Sequence, residues 1–269
     1  MEPLIARVRR SLLLRGWRRT LRLGARWVGF HLRHGRRPAP PGFDLEFGLD
    51  TDAAGDVAGE RKGSVAGVEY GPVDVEHFAG LMRQVDVSSG EFVFLDFGCG
   101  RGRALLLASL YPFRQIRGVE YDRELQQSAE RHLAAWGRRG WLATFCRGRS
   151  RWSLGGRASI PGAGRRLGLG ASPRCRQQRC FDLGTVWEDA TAWEFPVAPS
   201  VFYFNEPLGE AELRVVAARI RRSLAAAPRP AYVLYLGDWG APVWEEGGDF
   251  ELLYRYDDRS AYRWGARRP

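Results

Sequence analysis

The stretch Phe92–Ser109, FVFLDFGCGRGRALLLAS, restricts the folds open to this chain more than any other. Five apolar residues in the six positions 92–97, interrupted only by Asp96, predict a buried strand too short to be a helix. Gly98, Gly100 and Gly102 then follow at every second position, and the run from Ala104 to Ala108 opens a helix. Strand, glycine turn and helix are the first half of a βαβ unit. Without Cβ the backbone of such a turn takes positive φ and lets a ligand approach the main chain. The helix that follows presents unpaired N–H groups to whatever sits there.

Spacing and a nearby acid narrow the kind of ligand. A dinucleotide turn reads G-x-G-x-x-G and faces a pyrophosphate. Here the pattern is Asp96-x-Gly98-x-Gly100-x-Gly102, with a carboxylate ending the strand. That carboxylate repels a pyrophosphate and suits a cationic amine. A second strand is expected over residues 115–121, QIRGVEY, with its acid at Glu120, eighteen residues after Gly102. One helix and a turn consume about that distance, and in a doubly wound sheet the acid ending strand two accepts bonds from ribose hydroxyls. Taken singly, the glycines also allow a mere tight turn, and Glu120 a solvated strand end.

With Asp96, the three glycines and Glu120, the chain resembles the class I S-adenosylmethionine-dependent methyltransferases, whose first motif is (D/E)-x-G-x-G-x-G. The resemblance implies S-adenosyl-L-methionine as cofactor. It places Asp96, Gly98, Gly100 and Gly102 near the amino-acid end and Glu120 at the ribose. Asp189 and Ala190, an acid and a small residue after strand three, would meet the adenine, with Glu188 as the neighbour able to take the role. Tyr70, in the region that precedes the first strand, is assigned to the same pocket, with plain packing as the competing reading. The segment Asn205-Glu206-Pro207-Leu208-Gly209 is similar to the N-P-P-(F/Y/W) motif of amino-methyltransferases, so Asn205 and Glu206 are the residues assigned to position the acceptor. Glu206 stands for the first Pro and Leu208 for the aromatic, which removes the stacking surface for a flat base. Asp238, at another strand end, is a further candidate base. The chain holds no metal-ligand pattern, and methyl transfer requires none. The alternative from a different class is an inactive cofactor-binding scaffold whose basic arm contacts a membrane or nucleic acid.

The rest of the chain organises around that unit. Residues 1–40 hold eleven Arg against a single acid, Glu2, so the net charge of +10 sits there and the remainder is neutral. Leu4, Ile5, Val8, Leu12, Trp17, Leu21, Trp27, Val28 and Phe30 fall among these arginines at roughly helical spacing. A basic amphipathic arm of this kind binds an anionic membrane surface, binds nucleic acid, or packs as a solvated helix on its own domain. Pro38, Pro40 and Pro41 end it as a stiff linker. The expected division is therefore an arm and linker at 1–42 and a catalytic domain at 43–269.

Only Lys62 accompanies forty Arg, a compositional bias that argues against reading the arginines as chosen for phosphate. The four cysteines form no C-x-x-C pair, and reduced thiols of a cytoplasmic protein, peripheral at a membrane if the arm binds one, are the reading. No apolar run reaches the roughly 20 residues of a membrane span.

A helix is expected from Asp74 to Val85 with Val75, Phe78, Ala79 and Met82 on one face, and another from Asp122 to Trp136 with Leu125, Ala129, Leu133 and Trp136 buried. Residues 147–180 contain nine Arg, no acid and no period, so they read as a low-complexity insertion, an RNA-binding loop or an altered reading frame. Strand three resumes after Cys180. Strand four covers 200–204, a long helix 210–227, strand five 231–236, and a short helix lies near Pro242. Residues 250–256 and 262–264 flank Asp257-Asp258-Arg259-Ser260 as a hairpin. The fold class is α/β: a doubly wound, Rossmann-like sheet of mostly parallel strands with a terminal antiparallel hairpin. That hairpin fits the seven-stranded methyltransferase sheet and not the dinucleotide fold.

Overall fold

The computed structural model describes residues 43–52, 71–138, 182–206, 208–237 and 240–265. The basic arm and linker of 1–42, Tyr70, the Arg-rich stretch 147–180, Pro207 and Asp238 lie outside the described residues.

Seven strands, β1 (Val93–Phe97), β2 (Gln115–Glu120), β3 (Asp182–Trp187), β4 (Ser200–Asn205), β5 (Ala231–Leu236), β6 (Phe250–Tyr256) and β7 (Arg259–Trp264), form one sheet. Its order is β3-β2-β1-β4-β5-β7-β6. The first five are parallel, whereas β7 runs antiparallel between β5 and β6. This is the α/β arrangement expected from the sequence, terminal hairpin included. The hairpin is tighter than expected. β7 begins at Arg259, leaving Asp257 and Asp258 to turn the chain, and Asp257 adopts a left-handed φ of 60°, tolerated by Asp because its short side chain bonds locally. Strand two also stops one residue early, at Glu120, because Asp122 caps the next helix: its Oδ1 accepts from the N–H groups of Glu124 and Leu125 at 2.9 and 3.1 Å.

The central strands are apolar on both sides, as parallel strands covered by helices on each face must be. One face carries Phe94, Ile116, Val201, Tyr203 and Leu234. It is covered by α1 (Phe43–Phe47), α2 (Val75–Met82), α3 (Arg103–Ala108) and α4 (Arg123–Arg138). Phe43 and Phe47 pack on Trp136 at ring separations of 6.0 and 5.2 Å, and Phe78 on Phe94 and Tyr203 at 5.9 and 5.5 Å. The expected buried faces of α2 and α4 are observed, with Leu133 only partly buried. Helix α2 starts at its Asp74 cap, whose carboxylate accepts from Glu76 and His77 N–H, and ends at Met82.

The opposite face holds Val93, Leu95, Phe97, Phe202, Phe204 and Tyr235. Helices α5 (Glu210–Ala226) and α6 (Ala241–Glu245) cover it, joined by Trp193 and Phe195 from the loop after β3. The connection order reverses between β1 and β4. Open α/β sheets bind ligands at the C-terminal strand ends beside such a reversal.

Candidate functional site

The glycine turn sits at that reversal. Gly98, Gly100 and Gly102 have φ of 75°, 53° and 86°, a conformation that a side chain makes costly. The turn is tied to the neighbouring strand, with Gly98 and Cys99 N–H donating to the Val119 carbonyl at 2.8 and 3.2 Å. It approaches β2 so closely that a Cβ on Gly118 would stand 2.6 Å from Cys99 Sγ and 2.7 Å from Leu105 Cδ1. Gly118, read from the sequence as an ordinary strand residue, is therefore part of the turn's seat.

Glu120 joins the turn directly. Its Oε2 accepts from Gly100 N–H at 2.8 Å and its Oε1 from Asp122 N–H at 2.9 Å. The strand-two acid is thus a ligand of the glycine backbone as well as a group at the mouth of the turn.

Asp96 lies on the same sheet face, opposite Gly118 on one side and Tyr203 on the other. It is 2% exposed. Burial, reinforced by the Glu120 charge, pushes its carboxyl well above the usual carboxylate range. The Tyr203 hydroxyl is also buried without a hydrogen-bond partner among the described residues. Burial first and Asp96 second push that phenol up. Nothing in the apolar run VFYF signalled a polar group at this place.

The other expected site residues are more scattered. The Asn205 side-chain amide donates to the Gly71 carbonyl at 2.9 Å, tying the end of β4 to the segment before α2. Its neighbour Glu206 has a left-handed φ of 46° and donates its N–H to the Leu236 carbonyl. Asp189 accepts from the N–H and the hydroxyl of Thr191, both at 2.7 Å, in a local turn, and Ala190 is buried beside it. At the ends of β2 and β3 Tyr121 and Trp187 are exposed, and Trp187 Nε1 donates to the Tyr121 backbone carbonyl at 2.7 Å. Among the described residues no group of three or more His, Cys, Asp or Glu could hold a metal ion.

The contacts of one segment were not legible in the sequence. Segment 43–52, FDLEFGLDTD, clasps the glycine turn through the two arginines interleaved in it. Buried Arg103 pairs with Asp44 at 3.0 Å and Asp52 at 2.6 Å, and its Nε donates to Thr51 Oγ1 at 2.7 Å. Thr51 in turn donates to Asp44 at 2.5 Å. Arg101 donates to the Asp50 carboxylate and carbonyl at 3.3 and 3.4 Å. His132 on α4 contacts both Asp50 and the Arg101 carbonyl. Two arginines beside a helix N-terminus oppose the helix dipole, and the three aspartates supply the missing negative charge. That mismatch was the available signal.

No protein-family model matches this chain, and no curated protein matches it. Among solved structures, it is similar to an RNA methyltransferase from Salinibacter ruber in complex with S-adenosyl-L-homocysteine, at 15% identity over 72% of this chain and 92% of that one, with a TM-score of 0.41. A ribosomal protein L11 methylase from Lactobacillus delbrueckii subsp. bulgaricus aligns at 11% identity over 71% and 77%, with a TM-score of 0.44. A magnesium protoporphyrin IX methyltransferase from Synechocystis with bound SAM aligns at 10% identity over 70% and 76%, with a TM-score of 0.39. In this chain, five parallel strands closed by the antiparallel β5-β7-β6 arrangement are consistent with the class I S-adenosylmethionine-dependent methyltransferase fold.

Proposed function

We propose that the chain is a methyltransferase that uses S-adenosyl-L-methionine as cofactor and transfers its methyl group by direct in-line displacement. The observation that carries this reading is the bond from Gly100 N–H to Glu120, which brings the acid ending strand two onto the glycine turn at the sheet's reversal point. The residues present fit the cofactor. A buried carboxyl at Asp96 suits a cationic amine, the positive-φ glycines form a turn without side chains to bar a ligand, and Glu120 suits vicinal hydroxyls. Asp96, Gly98, Gly100 and Gly102 are assigned to the amino-acid end, Glu120 to the ribose, and Asp189 with Ala190 to the adenine. Tyr70 keeps its place in the assignment from the sequence alone.

When bound, the cofactor supplies a methyl group already activated on a sulfonium. The work left to the protein is to hold the acceptor in line and exclude water, which is positioning and electrostatics. Asn205, whose amide nitrogen is held on Gly71 and whose orientation is thereby fixed, is assigned to the acceptor, with Glu206 beside it. A catalytic domain at 43–269 belongs to the same reading, so a chain beginning at residue 43 should still bind the cofactor.

The test is a thermal-shift comparison of S-adenosylmethionine, S-adenosylhomocysteine and NAD, followed by turnover with cell extract as acceptor source. Stabilisation by the first two and not by NAD, with demethylated product accumulating, is the expected result. Stabilisation by NAD alone would defeat the reading.

A further inference from the structure

The phenol of Tyr203 carries a polar group that its surroundings do not require. Its ring centre lies 5.5 Å from that of Phe78 and 5.6 Å from that of Phe94, and the residue is fully buried. Phe202 and Phe204 flank it in the chain, and a third phenylalanine would keep the same ring contacts. The hydroxyl has no hydrogen-bond partner among the described residues. A hydroxyl buried in this way gives up its bonds to water and gains none in exchange.

Its place in the sheet is particular. Strands β1 and β4 flank the reversal, and in their parallel register Phe94 stands against Val201 and Asp96 against Tyr203. Side chains two apart on a strand share a face, so Asp96 lies on the face of Phe94 and Tyr203, which α2 and α3 cover. The two groups act on each other: burial first, and the Asp96 charge second, push the phenol up. With the ring held by Phe78 and Phe94, the O–H can still rotate about its C–O bond toward a new acceptor.

Asp96 becomes such an acceptor when it faces a cation. A buried carboxylate paired with an ammonium is favourable only if donors also meet its remaining lone pairs. Glu120 opposes a charge on Asp96, whereas the Tyr203 O–H can favour one. We propose that Tyr203 is a positioning residue for the amino-acid end of the cofactor: its hydroxyl donates to the Asp96 carboxylate once that carboxylate holds the ligand's ammonium. The inference rests on the proposed function for the identity of the ligand. The bond forms in the complex, so the hydroxyl contributes to affinity and not to folding.

The experiment uses the full chain and three variants: Tyr203→Phe, Asp96→Asn and the two combined. Urea unfolding of each is followed without ligand, and isothermal titration gives the affinity for S-adenosylhomocysteine. Tyr203→Phe should leave the urea midpoint level or raise it, yet weaken S-adenosylhomocysteine about tenfold, the effect of one lost bond to a charged group. In the Asp96→Asn background the same change should alter affinity by less than about twofold, because the charged acceptor is gone. 5′-Methylthioadenosine, which has the nucleoside and the sulfur but no amino-acid end, should bind the natural chain and Tyr203→Phe alike.

A lowered urea midpoint, or loss of folding, in Tyr203→Phe overturns the proposal, since the hydroxyl then serves the fold. So does a loss of affinity that persists in the Asp96→Asn background. Should Asp96→Asn bind too weakly for that comparison, an equal loss of 5′-methylthioadenosine affinity overturns the proposal, and a loss confined to S-adenosylhomocysteine supports it. If the natural chain binds neither nucleoside, the functional reading fails and the proposal falls with it. If the natural chain and a folded Tyr203→Phe bind S-adenosylhomocysteine equally well, the proposal fails alone.

Discussion

Glu120→Gln and Glu120→Ala separate two jobs assigned to one carboxylate. Within the fold it accepts the N–H groups of Gly100 and Asp122 at 2.8 and 2.9 Å, and it is 5% exposed. Each bond to a charged acceptor is worth about 1.5–3 kcal/mol when its partner is removed. Alanine removes both, but it also lifts the repulsion that helps push Asp96 up, so a net loss of roughly 2–4 kcal/mol is expected. At about 2–4 °C per kcal/mol for a domain of this size, Tm should drop by about 5–15 °C. Glutamine keeps the shape and one acceptor oxygen, so its Tm should drop by roughly half as much. Both variants should stay folded at 20 °C or so, where affinity is compared. If the carboxylate also holds the ribose, each hydroxyl bond lost weakens S-adenosylhomocysteine by about tenfold to more than a hundredfold. Isothermal titration and differential scanning calorimetry read the two quantities independently. A folded Gln variant with natural affinity refutes the ribose assignment. An Ala variant with natural Tm refutes the claim that Glu120 holds the turn.

Asp96→Asn should trade binding for stability. Because the folded chain holds the Asp96 proton more tightly than the unfolded chain, the stability it contributes is full below about pH 4 and is lost as pH rises through the folded value. The variant should therefore raise Tm at pH about 8 more than at pH about 4 while weakening S-adenosylmethionine, and a uniform Tm change at both pH values would contradict the burial argument. Gly118→Ala places a methyl 2.6 Å from Cys99 Sγ and 2.7 Å from Leu105 Cδ1, an overpacking expected to cost about 1–3 kcal/mol in urea unfolding; an unchanged midpoint would mean that the turn can withdraw from β2 freely. Arg103→Ala leaves the buried Asp44 carboxylate without its cation and should cost about 3–5 kcal/mol. Arg103→Lys should recover little, since Lys lacks the fork that reaches Asp44, Asp52 and Thr51 together; full recovery in thermal unfolding would reduce the clasp to simple charge.

The parts of the site that the sequence made legible are those whose cause is local. A strand, a glycine turn and a helix follow one another within eighteen residues, 92–109, and each betrays itself by period or by missing side chains. Glu120 was readable because the length of one helix and one turn fixes where strand two must end. That its carboxylate bonds Gly100 depends on the register that sets Phe97 against Val119, which no local pattern encodes. The clasp is the sharper case. FDLEFGLDTD alternates Phe43, Leu45, Phe47 and Leu49 with polar residues and Gly48, a pattern that speaks of apolar packing and not of an ion-pair partner, and its partners Arg101 and Arg103 stand about fifty residues later in the chain. An ion pair between distant segments leaves no signature in either segment alone. What it does leave is a local misfit: two cations at the turn that opens α3, where the dipole of a helix favours anions. Helix α3 is only Arg103–Ala108, with Gly102 as a cap that offers no side-chain bond. A short helix start that is both uncapped and wrongly charged needs acids from elsewhere, and Asp44, Asp50 and Asp52 meet that need. If the turn binds the proposed cofactor, outside charges that keep it in place also set its affinity.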